Sequence, residues 1–305
     1  MNRRTFIKII GTGAAVMAGD LIGRVTKLGE AVAQTKGPCR LAAVKNGSPE
    51  KLFDAGIKAL GGMDSFVKKG QSVLVKPNCS QPMGPEFGSN TNPLVVKRII
   101  EHAKDAGASK IYVFDHSLGD TDFCYEQSGL KEVCKKTGAV LVPADDSKYY
   151  HTKKIPGAKA LMETEFHEVF LEADAVINVP VLKHHFATRV SIAIKNLMGV
   201  VWDRDRFHSM NLDQCIADLA LYKKPVLNVI DAYYMLMENG PRGGDLSYVK
   251  TMKTQILSSD IVAADTAAAK VFGVNPNEVA YLKIAEKMKL GTMKLDSLPI
   301  ERIVL

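Results

Sequence analysis

Short apolar, β-branched runs alternate along this chain with stretches whose apolar positions recur every three or four residues, the two periods of strand and helix. Runs at 40–44, 72–75, 110–114, 139–142, 175–181, 225–230, 254–257 and 300–305 read as strands. Between them, Leu52, Phe53, Ile57 and Leu60 mark one face of a helix opened by Ser48-Pro49-Glu50 and closed by Gly61-Gly62. Val95, Val96, Ile99 and Ile100 mark a second, opened by Thr91-Asn92-Pro93 and closed at Gly107. Each has a polar cap and a proline at its first turn. Further helices are predicted near 128–137 and over 213–221, 261–272 and 279–289. Strands alternating with helices imply right-handed crossovers. The expected fold is therefore α/β, a mainly parallel sheet with helices on both faces, in the manner of a Rossmann-like sandwich. The run 175–181, interrupted only by Asn178 and Pro180, has the character of a strand buried on both faces.

The same pattern isolates the polar residues that follow the strands. Run 72–75 delivers Lys76-Pro77-Asn78, run 110–114 ends in Asp115-His116, run 175–181 leads to Lys183-His184-His185, and run 225–230 terminates in Asp231. In a parallel sheet these ends share one edge, where ligands of open α/β folds bind. Lysine, aspartate and histidine gathered there would hold an anion or a metal and shift one another's proton affinity. Lys195 closes an otherwise nonpolar segment, 190–194, and Asn196 follows it. A lysine buried in such a place loses proton affinity and becomes a candidate base or nucleophile, whereas one that snorkels to solvent does not.

Structural readings stand beside the functional ones. Lys76 also reads as a strand-end cap, Asn78 as a turn residue, His116 as a local partner of Asp115, and Asp231 as a cap toward Tyr233. His184 and His185 are adjacent on a strand-like segment, so at most one faces a given site. Trp202, Phe207 and Met210 read as packing or a pocket wall. The loop 79–92 is long for a connector and reads as functional. Residues 240–244 read as a flexible turn that could let backbone amides approach an anion, although most such runs are plain turns, and 144–159 as a surface excursion with a solvated His151.

Composition narrows the classes. With 305 residues, 46% hydrophobic and 24% charged, this is a soluble globular chain with a full core. Residues 1–33 carry five basic and two acidic side chains, so of the net charge of +7 only +4 belongs to the remainder, too mild and scattered for nucleic acid. The start, Asn2-Arg3-Arg4-Thr5-Phe6-Ile7-Lys8, an apolar stretch over 9–22 and the small-x-small site Ala31-Val32-Ala33 resemble a twin-arginine export signal. Gly11, Gly13, Gly19 and Asp20 argue against a spanning helix. The expected layout is a signal peptide over 1–33 and one α/β domain over 38–305. The expected location is periplasmic or otherwise exported, with the Tat translocase as a partner during export. Five cysteines without a C-x-x-C pair encode no iron-sulphur cluster and no zinc ribbon. Cys124 and Cys134 read as a pair in an oxidising compartment or, preferably, as buried free thiols.

At these residues the chain resembles the DUF362 family, a domain of unknown function. The resemblance rests on Val73-Leu74-Val75-Lys76-Pro77-Asn78, on residues 173–184, on Ile194-Lys195-Asn196-Leu197-Met198-Gly199, on His208 and Asp231, and on Glu238-Asn239-Gly240-Pro241 and Asp265-Thr266-Ala267-Ala268. Family members are sometimes fused to iron-sulphur ferredoxin modules, which implies an iron-sulphur redox partner that would carry the cluster this chain lacks. A fainter similarity is to the nickel-pincer lactate racemase family, in which a lysine holds the cofactor and histidines act on the metal and the proton. It would give those roles to Lys195, His185 and His208, with His185 and His208 as metal ligands, although the motif around them differs.

Two expectations follow. In the first, an enzyme binds a small anionic molecule in a strand-end pocket, with a divalent metal or an organic cofactor compatible with the site. His185 and His208 would then be ligands or proton carriers, Lys195 a base or covalent anchor, and Lys76 and Asn78 substrate clamps. Asp115, His116, Lys183, His184, Asn196 and Asp231 would line the same pocket. In the second, a non-catalytic accessory uses that cleft to hold a cofactor or docks on an iron-sulphur protein.

Overall fold

The computed structural model describes residues 40–305, so the twin-arginine segment and Cys39 lie outside the described residues. Among the described residues one eight-stranded sheet runs in the order β12 (Ile300–Val304), β1 (Leu41–Lys45), β11 (Val249–Ser258), β10 (Leu227–Leu236), β7 (Ala175–Val179), β2 (Ser72–Pro77), β3 (Lys110–Val113) and β4 (Val140–Leu141). Only β11 runs against its neighbours, pairing antiparallel with both β1 and β10. The remaining pairs are parallel.

Side chains alternate across this sheet into two cores. Val73, Val75, Ala175, Ile177, Val179, Leu227 and Val229 point to one face, where Phe53 and Ile57 of α1 (Pro49–Ala59) and Val95, Val96 and Ile99 of α2 (Pro93–Asp105) cover them. Leu74, Val176 and Ile230 point to the other. The cover there includes Ile216 and Leu219 of α8 (Leu212–Tyr222), Val262 and Ala269 of α9 (Ile261–Phe272) and Tyr281 and Leu282 of α10 (Ala280–Lys287). Burial on both faces is why the central strands are continuously apolar. Polar caps start the helices: the side chain of Ser48 accepts from Lys51 N, Asn92 from Leu94 N, and Asp260 from Val262 N and Ala263 N.

The structure corrects some local expectations. Strand β10 does not terminate at Asp231 but continues to Leu236, because β11 pairs along it as far as Val249, with a register shift between Ala232 and Tyr234. The expected surface excursion, 144–159, contains a strand, β5 (Tyr150–Lys154), that pairs with β6 (Glu163–His167) just beyond it. The helix expected near 128–137 is α4 (Leu130–Thr137), and an unexpected helix, α3 (Thr121–Gln127), precedes it, the two separated by Gly129 at φ 81°. Cys79, Cys124, Cys134 and Cys215 are buried free thiols. Helix α5 (Glu168–Glu172) precedes β7. No helix of the described residues is long and apolar enough to cross a membrane.

Candidate functional site

Register sets the floor of the site. Lys76 on β2 lies opposite Asn178 on β7, and Asn178 lies opposite Asn228 on β10, so one row of polar residues crosses the sheet near its carboxyl edge. All three are fully buried. Burial obliges them to find partners; Lys76 and Asn178 find theirs in the short helix α6 (Ala193–Asn196), and Asn228 in Asn178 and Ser258 O. Asn196 Oδ1 accepts from Lys76 Nζ at 3.0 Å and from Asn78 Nδ2 at 3.1 Å, while its Nδ2 donates to Asn178 Oδ1 at 2.8 Å. Asn178 Nδ2 donates in turn to Ala193 O and to Asn228 Oδ1. From the opposite side, Asp265 on α9 accepts Ala193 N at 2.8 Å and Ile194 N at 3.1 Å. Helix α6 is thus fixed at its first turn by a carboxylate and at its last residue by the polar row. Lys195 sits between these anchors.

Lys76 Nζ lies 2.7 Å from Asp115 Oδ1, with both side chains removed from solvent, as an ion pair and not an aligned hydrogen bond. Burial lowers the Lys76 pKa, and the Asp115 charge opposes that shift. Asp115 Oδ2 accepts from Cys79 N. Gly199 permits this packing, since a Cβ there would stand 1.9 Å from Asp115 Oδ1 and 2.6 Å from Lys76 Nζ.

Above this floor is a cavity of about 410 Å³ lined by Asn78, Ser80, Asp115, Lys183, His185, Lys195, Asn196, Arg204, Asp205, His208 and Arg242, among others. Its cations outnumber its carboxylates, and Asp115 is already matched by Lys76. Lys183, Lys195 and Arg204 make no ion pair among the described residues.

The two lysines differ in their surroundings. Lys183, on β8 (Lys183–His185), donates to Asn78 Oδ1 at 2.8 Å, Ser80 Oγ at 3.2 Å and Ser89 O at 2.5 Å. Burial pushes its pKa down to about 7. Three acceptors matched to three N–H groups oppose that shift and favour the ammonium. Lys195 has only the thioether of Met198, at 3.2 Å, as a polar side-chain partner. Burial, with the charge of Arg204 second, lowers its pKa to about 8. A thioether is a weak acceptor, so Lys195, unlike Lys183, keeps its N–H groups and, when deprotonated, its lone pair available to a ligand.

Arg204 places its two terminal nitrogens on His116 O and Ser117 O, each at 2.6 Å. His185 Nδ1 accepts from Ala187 N, so the neutral ring carries its proton on Nε2. Burial, followed by the charges of Lys195 and Lys183, holds His185 far below its ordinary pKa. His208 comes from the short helix α7 (Arg206–Ser209). Among the described residues no three His, Cys, Asp or Glu side chains gather as a metal-binding group. His185 and His208 would therefore give a metal two imidazoles and leave the rest of its shell to solvent or substrate.

Of the residues singled out in the sequence, Asn78, Asp115, Lys183, His185, Lys195, Asn196 and His208 share the cavity. Lys76 lies under it, engaged by Asp115 and Asn196. The other three do not line it. His116 donates from Nδ1 to Val201 O and stacks on Trp202 with ring centroids 5.2 Å apart. His184 Nδ1 accepts from Gly240 N. Asp231, raised to about 6 by burial, caps Asn92 N at 2.7 Å and Tyr233 N at 3.0 Å. Sequence reasoning missed Ser80, Arg204, Asp205 and Arg242 as wall residues, and Asn178 and Asn228 as the floor. Asparagines inside two wholly apolar runs were the available signal for the floor. The walls come from loops, of which 79–92 stands out by its length and 240–244 by its glycines, without pointing to Ser80 or Arg242 themselves.

Comparison with known proteins places the chain. The thylakoid-associated protein sll1697 of Synechocystis sp. is 24% identical over 243 residues, which is 77% of this chain and 73% of that protein. Among solved structures, the lactate racemase apoprotein of Thermoanaerobacterium thermosaccharolyticum matches with a TM-score of 0.49 and 15% identity, over 75% of this chain and 56% of its own. A structural-genomics protein of Thermotoga maritima matches with a TM-score of 0.47 and 11% identity, over 74% and 59%. The chain spans less than two thirds of both solved structures, and no chemistry follows from likeness of that degree. A family model described as "Domain of unknown function (DUF362)" matches residues 73–270, the span that contains the cavity, its polar floor and the helix of Lys195, and the chain belongs to that family.

Proposed function

We propose that this protein is an enzyme that binds a small organic anion and moves a proton on it. The observation that carries this reading is the pairing of two unlike lysines in one cavity. Lys183 is held by three acceptors that favour its ammonium against the lowering by burial. Lys195 is buried against a thioether with its pKa lowered to about 8. In this reading Lys183 and Arg204 supply the field that draws in and orients the anion. Lys195, as free amine, takes the proton and as ammonium returns it, while His185, kept neutral, offers its Nε2–H to the anion as a hydrogen-bond donor. Lys76, under the cavity, is held by Asp115 and in turn holds Asn196, the residue next to Lys195 on α6.

The test is a calorimetric titration of the full chain with carboxylates, joined to NMR detection of deuterium entering the carbon next to the carboxylate in heavy water. Lys183→Gln is expected to weaken binding at least tenfold. Lys195→Gln is expected to keep binding within about tenfold and abolish exchange, since loss of a general base costs about 10²–10⁴ in rate. Absence of anion binding in the wild-type chain overturns the proposal.

We further propose that the chain is exported by the twin-arginine route. Arg3-Arg4 with the following apolar stretch and Ala31-Val32-Ala33 supports this, and the Synechocystis relative's designation as thylakoid-associated is compatible with a membrane-side location. A reporter fusion carrying Arg3→Lys and Arg4→Lys should stay in the cytoplasm if this is so, and unimpaired export of that variant would refute it.

A further inference from the structure

The mouth of the cavity differs in kind from its floor. Phe186 is 75% exposed and Leu118 is 50% exposed, and both line the cavity that contains Lys183, Lys195 and Arg204. Phe186 does not sit on a loose loop. It follows β8 at the tip of a hairpin with β9 (Arg189–Ser191), stacks on His185 with ring centroids 5.0 Å apart, and donates from its backbone N to Gly240 O. Gly240 N donates to His184 Nδ1 at 3.1 Å. A Cβ on Gly240 would stand 2.0 Å from His184 O, so only glycine lets the two segments approach this closely. The ring is therefore held at the rim although water surrounds most of it. Leu118 follows the two carbonyls, of His116 and Ser117, that Arg204 grips, so it too stands on tethered backbone.

Resting on the anion-binding reading above, we infer that the ligand is an amphipathic monocarboxylate, with its head among the cations and an apolar chain across Phe186 and Leu118. The head is a carboxylate and not a phosphate because Asp115 and Asp205 line the same cavity, and the second negative charge of a phosphate dianion would stand against them. Lys195, whose one polar side-chain partner is a thioether, keeps N–H groups for a singly charged head. The chain is apolar because a large ring and a branched aliphatic side chain, both open to water, gain most by covering hydrocarbon.

Acetate, butyrate, hexanoate and octanoate at fixed pH and ionic strength, titrated calorimetrically into the full chain and into Phe186→Ser and Leu118→Ser, test this. Affinity in the wild type should rise up to about fourfold for each methylene that reaches the rim, the factor equivalent to ~0.8 kcal/mol per buried CH₂. Both substitutions should flatten that rise. A flat wild-type series with measurable acetate binding overturns this inference and leaves the anion site standing, as would be found if the rim instead docked a protein. A rise that neither substitution alters also overturns it. If no member of the series binds, both proposals fall.

Discussion

Lys76 Nζ and Asp115 Oδ1 stand 2.7 Å apart in a place neither shares with solvent. Removing one partner of a buried pair leaves an uncompensated charge and costs about 3–5 kcal/mol, whereas replacing both can be close to neutral. Lys76→Met and Asp115→Asn should therefore each lower unfolding free energy by about that amount in denaturant titrations. The double substitution should recover a good part of it. Gly199→Ala should destabilise by about 1–3 kcal/mol or more by driving a methyl into the pair.

Lys195 gives a pH dependence whose sign follows from its burial. Its folded-state pKa, near 8, lies below the 10.5 of an ordinary lysine. Between those values the folded protein holds fewer protons than the unfolded chain, so stability rises with pH. Lys195→Met should be the more stable protein at pH 7, by up to about 3 kcal/mol, and its advantage should shrink between pH 8 and 10.5. Anion affinity of the wild type should fall as pH rises through about 7 to 8, as Lys183 and Lys195 lose their protons. Unfolding curves and titrations at pH 7 and pH 10 measure both.

Asp265 positions Lys195 without touching the cavity. Each carboxyl oxygen accepts one backbone N–H at the start of α6, which opposes the burial that raises the Asp265 pKa to about 8, and asparagine would turn a donor toward one of them. Asp265→Asn should cost about 1–3 kcal/mol of stability. It should also change the pH profile of amine labelling at Lys195, read by peptide mass spectrometry. A purely structural cap would leave that profile where it is in the wild type.

Arg204 holds two successive carbonyls in a planar fork that a lysine cannot reproduce. Arg204→Lys keeps the charge and should nevertheless weaken carboxylate binding by about tenfold, equivalent to ~1.4 kcal/mol. Backbone amide exchange should rise at 116–118. Affinity equal to wild type would mean that only the charge matters.

Much of the architecture was legible in the chain because strands buried on both faces must be continuously apolar, as Val73-Leu74-Val75 and Val176-Ile177 are. The edge bearing Lys76, Asp115 and Lys183 followed from parallel strand direction alone. Asp231 misled because aspartate after an apolar run reads as a strand end. Here β10 continues beneath it, since pairing with β11 is a long-range choice that no local pattern reports.

The sequence by itself determined the α/β class, the side of the sheet on which polar groups collect, and the family, because periodicity and local motifs are written in consecutive residues. Tertiary structure alone decided which of those groups meet. It put Asn178 and Asn228 in register with Lys76, turned His116, His184 and Asp231 away from the cavity, and brought in Arg204 from a loop. It also separated two lysines that look alike in the sequence, because the proton affinity of an amine depends on the acceptors and the solvent around it, and those are set by residues distant along the chain.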